Sequence, residues 1–181
     1  GNIAARVNNM VKYESPELSG FKLYAQYSNG IDDDDVVSSQ KNRYIALGAT
    51  YRYKNLKLIA AFDNLFYNDS AVKTDAGVAT GKDLKDQRTY NIGGTYDFGD
   101  VRMYLGYQYG QNIKTPRQGD AKAIAAAKYD SKDSKASEGY DTNAVTLGTK
   151  IKLFGGELNG TFGYAHAKRD YQDSKADVYQ A

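Results

Sequence analysis

The sequence of 181 residues contains no cysteine, no tryptophan, two prolines and a single histidine. Without cysteine the chain has no disulfide bonds, and with one histidine it cannot form a Cys/His zinc site. No uncharged apolar run approaches the roughly 18 residues of a membrane-spanning helix, and the mean hydropathy is −0.67. A helical membrane protein is therefore excluded. A β-barrel membrane protein is not, because its strands alternate in polarity and its average hydropathy can look soluble.

Charge of both signs is present in ordinary amounts and is nearly balanced. Charged residues make up 25% of the chain, and the formal net charge is +2. Nucleic-acid-binding domains are usually more basic, with their charge clustered on one face, so we expect no nucleic-acid partner. Tyrosine is the outlier, with 17 residues against 6 phenylalanines.

Apolar residues recur at every second position, which is the period of a β-strand. The pattern predicts eight strands, over residues 6–14, 21–28, 43–53, 56–63, 89–98, 101–109, 144–153 and 157–167. Their connections alternate between short (15–20, 54–55, 99–100, 154–156) and long (29–42, 64–88, 110–143 and the tail from residue 168). An all-β antiparallel meander with short turns at one end and long loops at the other is typical of an outer-membrane β-barrel.

Aromatic residues on the apolar face are sorted to the two ends of the predicted strands. Near the short turns lie Tyr13, Phe21, Tyr51, Tyr53, Tyr96 and Phe98, and near the long loops lie Tyr27, Phe62, Tyr90, Tyr107, Tyr109 and Tyr164. Aliphatic residues and glycine occupy the band between them. Amphipathic rings favour the boundary between lipid and water, whereas the core of a soluble β-sandwich gives no reason for this sorting. The pattern therefore predicts lipid against the apolar face.

The opposite face carries charged residues, and its basic members are the candidates for a pore lining. They are Arg6, Lys12, Lys22, Arg52, Lys57, Arg102, Lys150 and Lys152. A charge buried in a dry core costs several kcal/mol unless it is paired, but a charge that lines water costs little. We therefore expect this face to border a water-filled pore, and its excess of cations predicts a preference for anions.

Residues 6–27 read R-V-N-N-M-V-K-Y-E-S-P-E-L-S-G-F-K-L-Y-A-Q-Y. This stretch resembles the general porins of Gram-negative bacteria, especially those of Neisseria and Bordetella, although Met10 and Leu18 stand where that pattern usually has Ser and Phe. The resemblance implies a sixteen-stranded barrel in the outer membrane, assembled as a homotrimer, through which small hydrophilic solutes and ions diffuse. It also implies that Arg6 belongs to the basic side of the pore constriction.

The predicted strand directions bear on whether the barrel is complete. A short turn follows the first strand and the eighth ends on the long-loop side, whereas a complete barrel of this class has both termini in the periplasm. We therefore expect residues 1–181 to be a single internal segment of a porin, without its N-terminal strands, constriction loop and C-terminal strands. Two alternatives stay open. One is a complete eight-stranded outer-membrane barrel with a structural or binding role, and the other is a sugar channel, for which Tyr24, Tyr44 and Tyr104 point inward.

Other chemistry has little support in the sequence. The four acids Asp32–Asp35 are candidates for a divalent cation shared with lipopolysaccharide, but such a run is usually a solvated loop tip. His166 has only Asp170 and Ser174 near it in sequence, which does not make a catalytic triad, and no Gly-rich phosphate loop precedes a helix. We expect no enzyme activity and no cofactor. The expected partners are outer-membrane lipid and lipopolysaccharide, further copies of the chain, and small ions and solutes.

Overall fold

The computed structural model describes residues 9–30, 42–67, 85–113, 140–169 and 174–180. They form one antiparallel sheet in which every strand pairs with its neighbours in sequence. The strands are β1 (Met10–Glu14), β2 (Phe21–Ser28), β3 (Arg43–Tyr53), β4 (Leu56–Phe66), β5 (Gln87–Asp97), β6 (Val101–Ile113), β7 (Tyr140–Leu153), β8 (Gly156–Arg169) and β9 (Ser174–Gln180). The predicted all-β meander is confirmed. In this part of the chain no helix is long and apolar enough to cross a membrane.

The middle strands extend further toward the long loops than periodicity predicted. β6 continues to Ile113 and β7 begins at Tyr140, four residues beyond each predicted end. The added residues are mostly polar or glycine, so the apolar alternation stops, while the β6–β7 pairing continues with a register shift between Gly110 and Ile113. β1 begins at Met10, and residues 6–8 of the predicted first strand, with Arg6, lie outside the described residues.

The sheet has one strand more than the eight that periodicity predicted, since β9 pairs antiparallel with β8 in the segment that was expected to be a tail. Four residues separate these two strands, so the alternation of short and long connections ends there. The sequence pattern does not predict β9, because polar and apolar residues in this strand do not alternate in the usual way. Register places Asp177 and Tyr179 on the apolar face, opposite His166 and Tyr164.

The register shows that the strands are staggered. The row of paired residues that starts at Phe21, the first residue of β2, runs through Tyr51, Leu58, Gly94, Leu105 and Leu147. It ends at Phe162, the seventh residue of β8, so the rows climb about one residue per strand. With about 3.3 Å per residue and about 4.8 Å between strands, this stagger gives a strand tilt of about 35°. Outer-membrane barrels have strands tilted by about 35–45°.

The sheet is one layer thick, and no apolar side chain of the described residues is buried. On one face Leu23, Ile92 and Leu105 remain 55%, 61% and 60% exposed. Soluble monomers rarely leave so large a contiguous apolar surface open to water. The apolar face therefore requires a cover of lipid or protein.

Aromatic rings pair with one another at both edges of this apolar face. Near the short turns the ring centroids of Phe21 and Tyr51 lie 4.3 Å apart, and near the long loops those of Phe62 and Tyr90 lie 5.0 Å apart. We call these two bands the lower and the upper girdle. In the upper girdle, Tyr109 is eight residues above the start of β6. At the tilt above this height is about 22 Å, close to the apolar band of about 25 Å in outer-membrane barrels.

The turn between β1 and β2 is fastened to β3 through Gly20. Its φ is +85°, in the region that favours glycine, and its carbonyl oxygen accepts a hydrogen bond of 2.9 Å from the backbone N–H of Arg52. A Cβ atom at Gly20 would lie 2.1 Å from the carbonyl oxygen of Arg52. A larger residue therefore cannot fit there without moving the turn.

Lipid against the apolar face predicts a sharp difference between two adjacent residues of β6. Leu105 lies midway between the girdles, whereas Gly106 lies on the polar face with open space around its Cα. Leu105→Arg should lower the free energy of unfolding by about 2–4 kcal/mol, the cost of a basic residue at mid-bilayer depth. Gly106→Arg should have a much smaller effect. Urea titration of the full-length protein in lipid vesicles measures both, and equal losses would contradict the assignment of faces.

The same titration tests the turn at Gly20, with Gly155 as its matched control. Gly155 in the β7–β8 turn also has a positive φ, +81°, but nothing lies within 4 Å of a Cβ placed there. Gly155→Ala should cost only the left-handed backbone, about 1–2 kcal/mol. Gly20→Ala should cost clearly more, because it adds the collision with Arg52. If the two variants were equally stable, the contact between this turn and β3 would not hold the sheet.

Candidate pore wall

The register brings seven of the predicted pore-lining residues onto the face opposite the aromatic girdles. Lys12, Lys22, Arg52, Lys57, Arg102, Lys150 and Lys152 all lie on this polar face. Arg6, the eighth, lies outside the described residues. Among the strand side chains described on this face, the acids are Glu14, Asp63, Asp97 and Glu157. Cations therefore exceed acids by seven to four.

Three of the cations are neutralised by an acid on an adjacent strand. Lys22 pairs with Glu14, Arg102 with Asp97, and Lys150 with Glu157 at 2.6 Å. Arg102 also donates from Nε to Oδ2 of Asp97 at 3.0 Å, while the other oxygen of Asp97 accepts from the backbone N–H of Gly99 at 2.9 Å. These pairs join neighbouring strands near the short turns.

Four cations form no ion pair with any residue that the structure describes: Lys12, Arg52, Lys57 and Lys152. Arg52 and Lys57 face each other directly in the register of the β3–β4 hairpin. Like charges at directly opposite positions destabilise a sheet, and only water and ions in front of them can reduce that repulsion. This pair concentrates uncompensated positive charge on the polar face.

A charged cleft of about 80 Å³ opens at the short-turn edge of this face. It is lined by Asp97, Gly99, Asp100, Arg102, Lys150, Lys152 and Glu157. The cleft contains the Arg102–Asp97 and Lys150–Glu157 pairs and the side chain of Asp100, so groups of both signs line it. It differs in this respect from the purely basic pair of Arg52 and Lys57.

A second concavity, of about 390 Å³, lies higher on β2–β4 and has a different character. Tyr24, Gln26, Tyr44, Ile59 and Asp63 contribute to its lining. Ile59 is 52% exposed on this mostly polar face. Tyr24 lies across the strands from Gly48, which leaves room for its ring. The sequence showed Tyr24 and Tyr44 pointing inward. It did not show this concavity, because the concavity depends on which residues of three strands stand side by side.

His166 lies on the apolar face at the long-loop end. Its Nδ1 lies 2.8 Å from Oδ1 of Asp177, and the hydroxyl of Tyr164 donates to the same oxygen at 2.9 Å. The sequence offered Asp170 and Ser174 as neighbours and missed Asp177, since β9 had not been predicted. No group of side chains suited to a metal ion occurs in the described ranges, and Asp32–Asp35 lies outside them.

The like-charged pair predicts a stabilising substitution. Lys57→Glu would place a carboxylate directly opposite Arg52, and cross-strand pairs of opposite charge contribute about 0.2–1 kcal/mol. We expect the free energy of unfolding to rise by about that amount. Lys12→Glu is the control, because it makes the same change in net charge opposite the neutral Gln26. Equal effects of the two variants in a urea titration would mean that the facing geometry is irrelevant.

Comparison with known proteins agrees with this geometry. A family model described as Gram-negative porin matches residues 1–181. The chain is 25% identical over 188 residues to an outer membrane porin protein of Bordetella pertussis, which covers 96% of this chain and 47% of that protein. It is 28% identical over 102 residues, 55% of the chain, to a monosaccharide porin of a Halomonas species and to the major outer membrane protein of Halomonas elongata.

These alignments cover less than half of each relative's own length. The matches nevertheless confirm the resemblance that residues 6–27 indicated, and with it the location in the bacterial outer membrane. The one-layer antiparallel sheet fits this family, because it has an apolar face between two aromatic girdles and a charged face opposite. The chain belongs to the Gram-negative porin family.

Proposed function

We propose that this sheet forms part of the wall of a water-filled pore through which small hydrophilic solutes and ions diffuse, with a preference for anions. The observation that carries the proposal is the pair of contrasting faces. One is apolar and bounded by two girdles, while the other carries uncompensated cations that only water can accommodate at low cost. Membership of the porin family favours a channel over an enzyme.

The open edges of the sheet support a barrel larger than the described strands. β1 and β9 are each paired on one side only among the described residues. An unpaired backbone group in lipid costs several kcal/mol, so both edges need further strands. The structure describes nine strands, one more than a closed eight-stranded barrel contains. A closed barrel of nine does not fit either, because bacterial single-chain barrels have even strand numbers. Sixteen strands, a homotrimer and contact with lipopolysaccharide are what the family resemblance adds to the proposal.

The proposed anion preference follows from the balance of charge on the polar face. A narrow aqueous passage with low-dielectric walls focuses the field of its fixed charges and concentrates counter-ions. The facing cations Arg52 and Lys57 would make the strongest described contribution. Arg6 remains a predicted member of the constriction. Because arginine stays protonated at any working pH, this preference should not titrate near neutrality.

A second candidate function is passage of sugars, and one concavity favours it. Tyr24 and Tyr44 offer ring faces, Ile59 an apolar floor, and Gln26 and Asp63 hydrogen-bonding groups. Small-molecule sites are mostly apolar with a few placed polar groups. One of the Halomonas relatives is named a monosaccharide porin. In the bilayer experiment below, this candidate requires a hexose to reduce the ion current of the intact protein and not that of Tyr24→Ala.

The reversal potential in a salt gradient tests the anion preference. We expect the full-length protein in a planar bilayer to favour anions, and Arg52→Gln with Lys57→Gln to move the reversal potential toward cations. Arg6→Gln should move it in the same direction. The preference should weaken with salt, because the screening length falls from about 10 Å at 0.1 M to about 3 Å at 1 M.

The matched control removes an ion pair of no net charge. Arg102→Gln with Asp97→Asn alters two side chains on the same face but leaves the total charge unchanged, so the reversal potential should stay where it was. A cation-preferring intact protein, or equal shifts from the two double variants, would refute the basic-wall proposal. Absence of any conductance would refute the pore itself.

A further inference from the structure

An exposed apolar residue lies beside the facing cations of the polar face. Ile59 of β4 is 52% exposed. It is two residues from Lys57 on the same strand and face, about 6.6 Å away at about 3.3 Å per residue. Thr50, opposite Ile59 on β3, is likewise two residues from Arg52. The row that contains this apolar side chain is therefore next to the row that carries the two cations.

In the row of Ile59, the next two strands carry no side chains on the polar face. Ile59 lies opposite Gly93 of β5, and Gly93 lies opposite Gly106 of β6. The Cγ2 atom of Ile59 is 3.6 Å from the point that a Cβ of Gly93 would occupy, so its side chain lies against this glycine. Nothing lies within 4 Å of a Cβ placed at Gly106. Ile59, Gly93 and Gly106 thus form a shallow open surface, which we call the Ile59 shelf.

The two cations next to the shelf are accessible to a ligand. The side chains of Arg52 and Lys57 are both exposed. Residues directly opposite each other on paired strands have Cβ atoms about 4.5–5.5 Å apart, so one carboxylate can contact both side chains. Arginine can donate two parallel hydrogen bonds to a carboxylate. A bound carboxylate would also reduce the repulsion between the two cations.

The acids described in β1–β5 and in the β1–β2 turn are Glu14, Glu17, Asp63 and Asp97. The first two lie near Lys22, which pairs with Glu14. Asp97 pairs with Arg102, and Asp63, farther along β4, is only 9% exposed. None of these acids forms an ion pair with the facing cations. The charge of the pair is therefore complementary to an anion from outside this part of the wall.

The shelf and the cations together favour one class of solute. A small inorganic anion contacts the cations alone, and a neutral sugar in the concavity above would contact Ile59 but gain little from the cations. A solute that joins a carboxylate to a single ring or a short branched chain can use both. Its charge lies between Arg52 and Lys57, and its apolar part covers Ile59, which removes apolar surface from water.

We propose that Arg52, Lys57 and the Ile59 shelf form a binding site in the pore wall for small amphipathic carboxylates, of which benzoate is a simple example. The inference rests on the proposed pore and names a substrate class for it, since these solutes reach the site through the aqueous passage. The carboxylate binds the two cations, and the ring lies over Ile59 and the glycines beside it. The site thereby discriminates among anions, which a field of fixed charges alone does not do.

Blocking of the chloride current by small organic molecules tests the proposal. The full-length protein is placed in a planar bilayer in about 0.1 M potassium chloride, where the screening length is about 10 Å. Single-channel conductance is then measured against the concentration of benzoate, of acetate, which lacks the ring, and of benzamide, which lacks the charge. The concentration that gives half of the maximal block should be lowest for benzoate.

Substitutions separate the apolar contact from the ionic one. Ile59→Thr should raise the half-blocking concentration of benzoate about 4- to 15-fold, the factor for the loss of one to two buried methylene groups, and should not change that of acetate. Ile59→Val should retain most of the affinity for benzoate. Arg52→Gln with Lys57→Gln should raise the half-blocking concentrations of both anions. Neither Ile59 variant should move the reversal potential in a potassium chloride gradient.

Val178→Thr is the matched control for Ile59→Thr. Val178 is 60% exposed and lies on the polar face, opposite Ala165 of β8. The residues two positions from Val178 and from Ala165 are all uncharged: Gly163, Ala167, Ala176 and Gln180. The control also replaces a branched apolar side chain by threonine, but away from the facing cations. It should leave the block by benzoate unchanged.

Three results would overturn the proposal. The first is a half-blocking concentration of benzoate equal to that of acetate or of benzamide, and the second is an equal effect of Ile59→Thr and Val178→Thr. The third is a changed chloride conductance of Ile59→Thr without any organic molecule, which would mean that another part of the barrel covers Ile59. Absence of conductance would refute the pore and the site together. A conducting protein that responds alike to benzoate and acetate would refute the site alone.

Discussion

The need to pair every backbone N–H and C=O group within the chain governs this structure, because the hydrocarbon of a membrane offers no other partner. It explains why each strand pairs with its neighbours in sequence without a crossover, and why the turns at one edge are so short. A two-residue turn such as Phe154-Gly155, with positive φ at both residues, loses almost no pairing between β7 and β8. The stagger of about one residue per strand follows from the same continuous ladder.

Once every backbone group is paired, the side chains determine which face of the sheet is suited to lipid and which to water. Most leucine, isoleucine and valine residues of the strands occupy one face and most tyrosines lie at its edges, whereas charge on that face is restricted to the long-loop ends of the strands. The ion pairs of the polar face are water-exposed and contribute modestly to stability; their main effect is to neutralise part of the basic surface. The facing cations Arg52 and Lys57 lower the stability of the sheet. This is expected where charge serves the electric field of the pore and not folding.

Much of this could be predicted from the sequence, because period-two alternation fixes which face each residue occupies. All seven described basic candidates lie on the polar face, and the two girdles are where the tyrosines indicated. The alternating pattern did not predict strand residues beyond the bilayer, because residues there need not be apolar on the outer face. The polar ends of β6 and β7 rise past the bilayer, and β9 carries Asp177 on the outer face opposite His166. The concavity at Ile59 and the pairing of Arg102 with Asp97 required the register, which alternation alone does not give.

The constant stagger separates two dimensions of the wall. Height depends on strand length and tilt, and both are already set within a single hairpin. Circumference depends only on the number of strands, each of which occupies about 6 Å around the barrel at a tilt of about 35°. Adding one hairpin therefore widens the backbone cylinder by about 4 Å without altering its fit to the membrane. Duplication or loss of hairpins thus offers a stepwise evolutionary route to a wider or narrower opening, with the membrane thickness already accommodated in every unit.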